Sequence, residues 1–124
     1  MTERVLFRAG EGPIHQIRPD FAGLVIAGRD CTLVRWDIPV GVVPTAPLHS
    51  HADHEQFCVV LEGAIEMLIA DEPVRLDTGD ICRVDPNVRH GRTRALDGKS
   101  AVVLDIYTPP RPEYVGVMAE KPVR

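Results

Sequence analysis

Between Thr32 and Ile38 the chain alternates in character, with Val34, Trp36 and Ile38 set against Arg35 and Asp37. A two-residue period is that of a strand with one buried face. Further strand-like runs follow at short intervals: Phe57 to Leu61, Ile65 to Ala70, Val74 to Leu76, Ile81 to Val84, Arg89 to Thr93 and Ala101 to Tyr107. Turn-forming pieces separate them, among them Glu62-Gly63, Ala70-Asp71-Glu72-Pro73 and Asp77-Thr78-Gly79-Asp80. No helical stripe of comparable length occurs. Many short strands predict an all-β sandwich or barrel, in which closure hides the edges that would otherwise pair with other chains. Proline cannot donate to a sheet ladder, so Pro109-Pro110-Arg111-Pro112 is expected to end the last strand. The tail from Glu113 to Arg124 is too short for a domain and is expected to cover a barrel end, wrap a partner subunit or fray.

At 124 residues the chain has the length of one domain, which buries roughly two-thirds of the surface its unfolded form exposes. The reading is therefore a single domain over residues 1–124, with its core at about 30–110 and a tail from 111. Eleven prolines and ten glycines fit a turn-rich β protein. A formal net charge of −4 without any basic run argues against a nucleic-acid partner. The opening Met-Thr-Glu-Arg-Val lacks a signal peptide's apolar core, and no stretch approaches the ~20 apolar residues that span a bilayer. No membrane partner and a cytoplasmic location are the expectation. Cys31, Cys58 and Cys82 are odd in number and have no C-x-x-C spacing. They read as small buried hydrophobes rather than as disulfides or zinc ligands.

The stretch HSHADHEQ, residues 49 to 56, holds three of the five histidines. In an extended chain residues two apart share a face, so His49 and His51 present both imidazoles to one cavity. His90 follows the turn-like DPNV at 85 to 88 and opens another strand, from which it can converge on the pair. Imidazoles with one oxygen ligand suit a divalent transition ion such as Zn, Ni, Fe, Mn or Co, rather than Ca or Mg. The oxygen ligand has two candidates: periodicity alone prefers Glu55, four residues from His51, whereas Gln56 is five away and needs a kink. His54 lies in the presumed loop and is expected to face solvent rather than to ligate; His15 has no supporting pattern.

These residues resemble the two motifs of the cupins, small β-barrels of the double-stranded β-helix or jelly-roll type that carry a metal site. The first motif is matched by His49, His51, Gln56 and Gly63, the second by Gly79 and His90. Asp85 stands where the second motif has proline, and Asn87 where it has glycine; asparagine tolerates the left-handed backbone such a turn needs. Arg94 occupies the place of a frequent asparagine, and Gly41 lies two residues too far upstream of His49. Counting back from Gly63 assigns the third ligand to Gln56, with residues 52 to 55 resetting the strand phase. The ligand set implied by the resemblance is His49, His51, Gln56 and His90.

HSHADHEQFCVVLEG together with SAVVLDIYTPPRPEY, residues 100 to 114, is similar to the pectin-degradation cupins, which open 4,5-unsaturated uronate monosaccharides to the linear keto form. That resemblance implies catalytic roles for Asp105, Tyr107 and Arg111, a small acidic sugar as substrate and, as in short cupins generally, a homodimer. Asp105 and Tyr107 share a strand face; turned inward, Asp105 moves protons beside the metal, and turned outward it pairs with a surface base while Tyr107 packs in the core. Arg111 grips a sugar carboxylate or is a lone arginine in a polar tail. Arg92 and Arg94 share the face of His90 and, if buried with it, call for an anionic partner. A cupin dioxygenase or other metal-dependent isomerase, and a non-enzymatic sugar or small-acid sensor, are the rival readings.

Overall fold

The structure, a computed structural model, describes residues 6–9, 15–16, 21–45 and 47–111, with only the backbone of 15–16. Among the described residues nine strands follow one another: β1 (His15–Gln16), β2 (Ala22–Ala27), β3 (Thr32–Ile38), β4 (Glu55–Glu62), β5 (Ala64–Ile69), β6 (Glu72–Asp77), β7 (Ile81–Val84), β8 (His90–Ala95) and β9 (Ala101–Thr108). They form two antiparallel sheets, one in the order β1-β2-β3-β9-β4-β7 and one in the order β6-β5-β8. This is an all-β jelly roll. Among the described residues no helix is long and apolar enough to cross a membrane. The tail beyond Arg111 and the side chain of His15 lie outside the described residues.

The core sits between the sheets because the alternation of β3, β4 and β9 is in step. Register aligns Val34 with Asp105 and Asp105 with Cys58, and aligns Trp36 with Val103 and Val103 with Val60. Each row points inward, where Trp36, Val34, Ile38, Val60 and Val103 meet Ile65 and Met67 of β5 and Leu76 of β6. Burying an aliphatic side chain such as Ile65 contributes about 1.5–3 kcal/mol. Cys58 is buried in the inner face while Cys31 and Cys82 are half-buried, and all three are free thiols.

The turns use residues that accept positive φ. Ala70 and Asp71, at φ 50° and 67°, make a two-residue hairpin between β5 and β6, the primed geometry that matches strand twist. Asn87, at φ 69°, adopts the left-handed conformation expected of it. Gly63, at φ 75°, joins the two sheets so tightly that a Cβ there would stand 2.6 Å from the Ser100 carbonyl oxygen.

Two strands, β1 and β2, lie outside the runs read from the sequence. The run AGLVIA of β2 shows no alternation because Leu24 and Val25, adjacent and on opposite faces, are both buried. A second difference is a bulge: β5 pairs Glu66 with Arg94 but Leu68 with Gly91, leaving one extra residue on β8. Gly91 and Arg92 take φ 141° and 53° there, the local kink of a bulged strand. The bulge reverses the side-chain phase after His90. Arg92 is therefore exposed rather than buried beside the histidine, and Arg94 pairs with Glu66 at 3.1 Å at the half-exposed surface.

Candidate metal centre

His49 and His90 exchange both backbone hydrogen bonds, at 3.0 and 2.8 Å, in an isolated bridge. The bridge sets their rings 4.4 Å apart by centroid. His51 is fixed differently: its carbonyl accepts from the Asn87 amide at 2.7 Å, which ties the histidine loop to the turn preceding β8. Its ring lies 5.1 Å from His49 and 5.2 Å from His90. One ligand nitrogen from each of the three falls within 4.8 Å of the others. These three histidines form a group able to bind a metal ion.

Gln56 enters from β4. It is buried, and its Oε1 lies 3.0 Å from His90 Nε2. Of the two oxygen candidates it is Gln56 that faces the histidines, while Glu55 stands at the start of β4 opposite Thr108. The chemistry of this contact tests whether a cation fits. His90 Nδ1 is 2.9 Å from the Val88 carbonyl; a carbonyl only accepts, so Nδ1 carries a proton, and in the neutral ring that a metal ligand requires Nε2 presents a lone pair. Nε2 then faces an amide oxygen, acceptor against acceptor. A cation shared by the two atoms resolves that opposition, and the donor set of three imidazoles and one amide oxygen fits a divalent transition ion.

A cavity of about 770 Å³, counting its open mouth, adjoins the site. His49, Gln56 and His90 line it with Asp105, Tyr107 and an apolar wall that includes Phe21, Trp36 and Met67. Arg92 stands in its rim, exposed. Asp105 faces inward, as the interior arrangement required. Trp36 Nε1 donates to its Oδ2 at 2.8 Å and the Tyr107 hydroxyl donates to the same oxygen at 3.2 Å. Oδ1 is buried and no well-formed hydrogen bond reaches it, its polar neighbours being the Cys58 thiol and the Gln56 amide. Burial pushes the Asp105 carboxyl above its ordinary value, opposed by the Trp36 indole, the Cys58 thiol, the Tyr107 hydroxyl and the Gln56 amide. Burial, helped by the charge of Asp105, likewise pushes the Cys58 thiol up.

Arg111 does not line the cavity. It is buried behind it, its backbone amide donating to Thr32 Oγ1 at 3.1 Å and its guanidinium 5.0 Å from the Tyr107 ring centroid. Its Nη1 lies 3.4 Å from His51 Nε2. His54 differs from expectation too. Its side chain is only 10 % exposed, and Nδ1 donates to the Pro109 carbonyl at 2.9 Å, because the loop at 52–54 folds onto the proline segment. Trp36 was read only as a core position; its inward phase on β3 was the available signal for a place in the site.

A jelly roll whose cavity is lined by His49 and His90, with His51 beside them, defines a β-barrel with a candidate metal site. Residues 34–107 match the cupin domain, and the chain belongs to that family. No curated protein matches the chain significantly. Among solved structures it is similar to KdgF from Halomonas sp., with 27% identity and a TM-score of 0.75 over 90% of this chain and 98% of that one. An RmlC-like cupin from Shewanella frigidimarina also has a TM-score of 0.75, with 21% identity over 91% and 96% of the two chains. Pac13, described as a nucleoside dehydratase, has a TM-score of 0.70 and 15% identity over 90% and 87%. The last two likenesses show the fold alone.

Proposed function

We propose that the protein is a metal-dependent enzyme that opens 4,5-unsaturated uronate monosaccharides to their linear keto form. The observation that carries the proposal is the buried Asp105 carboxylate, set in the cavity wall with no well-formed hydrogen bond to Oδ1, in the same cavity as His49, Gln56 and His90. The similarity of residues 49–63 and 100–114 to the pectin-degradation cupins supports it, as does the 27% identity with KdgF.

His49, His51, His90 and Gln56 would hold the divalent ion, which when bound supplies Lewis-acid polarisation of a substrate oxygen. All four ligands are neutral, so an anionic substrate is favoured beside them. The reaction is an isomerisation that consumes no co-reactant. The anomeric hydroxyl loses its proton, the ring carbon–oxygen bond breaks to leave an aldehyde and an enolate, and the enolate takes that proton back on carbon to become the ketone. Asp105 would carry that proton, since its carboxyl lines the same cavity and burial raises its affinity for a proton. Arg92 at the rim meets the substrate carboxylate. Arg111 steadies Tyr107 and His51 from behind, and its grip on the carboxylate, foreseen from the resemblance, would need it to reach past them.

The test is to incubate the metal-loaded protein with unsaturated galacturonate and follow loss of the enol-ether absorbance. Acceleration that disappears in Asp105→Ala is the expected outcome. No acceleration, or an undiminished rate in the variant, rejects the proposal.

A further inference from the structure

The Asp105 carboxylate is held from one side. The two well-formed hydrogen bonds to it, from Trp36 Nε1 and the Tyr107 hydroxyl, converge on Oδ2, while Oδ1 lies buried without such a bond in a residue that lines the cavity, with the Cys58 thiol and the Gln56 amide as its more distant polar neighbours. A buried acceptor without a well-formed hydrogen bond is uncommon and calls for a ligand or a strain-bearing role. The two donors are not equal. A hydroxyl rotates freely, whereas the Trp36 indole is a rigid plane, 4% exposed, packed edge-on against Phe21 at 6.2 Å between centroids. Its strand register, opposite Val103 on β9, places it one row from Asp105, so the shorter bond fixes the plane of the carboxylate.

We infer that Trp36 is a positioning residue: its indole N–H pins Oδ2 of Asp105 and thereby leaves Oδ1 as the oxygen that meets the ligand. The pinning rests on geometry alone; that Oδ1 exchanges a proton with the ligand rests on the uronate-opening reading. In that reaction Oδ1 takes the proton released by the hydroxyl and returns it to carbon, so the carboxylate is regenerated at the end of each turnover. Trp36 touches the carboxylate and not the reacting atoms.

Trp36→Phe keeps an aromatic ring and removes the donor. A hydrogen bond to a charged group lost from this position lowers kcat about 10- to 100-fold, with KM changed less than about threefold. Because Trp36→Phe also trims the core, the companion variant replaces the indole with benzothienylalanine, which keeps the shape and substitutes sulfur for N–H. The same kcat loss in both supports positioning; wild-type kcat in the sulfur isostere overturns it and leaves packing as the whole role of the ring. A readout independent of turnover is available because the chain has one tryptophan. Its emission maximum is expected to shift in Asp105→Leu, which removes the acceptor, and an unshifted maximum overturns the pinning. If the wild type fails to open unsaturated uronates while the shift is present, the functional reading falls and the pinned carboxylate stands.

Discussion

Replacing Asp105 with asparagine is expected to stabilise the protein at alkaline pH while removing its activity. The change keeps the side chain's shape, leaves an oxygen for the Trp36 and Tyr107 donors, and removes the charge from a position that water does not reach. Burial raises this carboxyl's pKa, so the folded state holds its proton more tightly than the unfolded chain does. The resulting contribution to stability is present in full below the unfolded carboxyl pKa of about 3.9, and is lost as pH rises through the higher folded value. Above that value the ionised wild type carries a buried, half-satisfied carboxylate. Such a group costs about 1–2 kcal/mol. At about 2.1 cal/mol/K per residue the unfolding entropy of a chain of this length is roughly 0.26 kcal/mol/K, so Tm of Asp105→Asn should exceed that of the wild type by about 4–8 °C at pH 9. Thermal unfolding followed by circular dichroism in the presence of a chelator, at pH 5, 7 and 9, measures the difference without interference from bound metal. The gap should widen with pH. A variant less stable than wild type at pH 9, or a gap equal at all three, refutes the reasoning.

Other changes have separate readouts. Gly63→Ala places a Cβ 2.6 Å from a backbone oxygen at positive φ, which should lower stability by about 3 kcal/mol and Tm by about 10 °C in the same melts. Cys58, buried and with its thiol pushed up, should resist iodoacetamide at pH 7.5 in the folded protein and react only after denaturant is added, as peptide mass mapping would show. Arg92→Ala, at the exposed rim, should raise KM for an acidic sugar about tenfold with kcat nearly unchanged; an unaltered KM removes Arg92 from the substrate contacts.

The half-buried strands were legible because their alternation is a direct image of two faces in different solvents. Ile81–Val84 and Thr32–Ile38 were read to the residue. The Ala22–Ala27 strand was not, since a strand covered on both sides has no polar face to mark its period. The histidine spacing brought His49, His51 and His90 together as read, and the loop at 52–54 supplies the phase change that brings Gln56 rather than Glu55 to them. What spacing does not carry is a bulge. One extra residue near Gly91 turns Arg92 to the rim and Arg94 to Glu66, and no local pattern in HGRTRA announces it. The position of Arg111 behind Tyr107 was equally out of reach, because it depends on how the proline segment folds against Thr32 and His54.

The account depends above all on a cation held jointly by His49, His51, His90 and Gln56. Elemental analysis of the purified protein, alongside His90→Ala prepared identically, tests this most directly. About one divalent transition ion per chain in the wild type and little in the variant is the expected result. A wild type that retains no stoichiometric ion when offered zinc, nickel, iron, manganese or cobalt, or a variant that retains as much as the wild type, contradicts it.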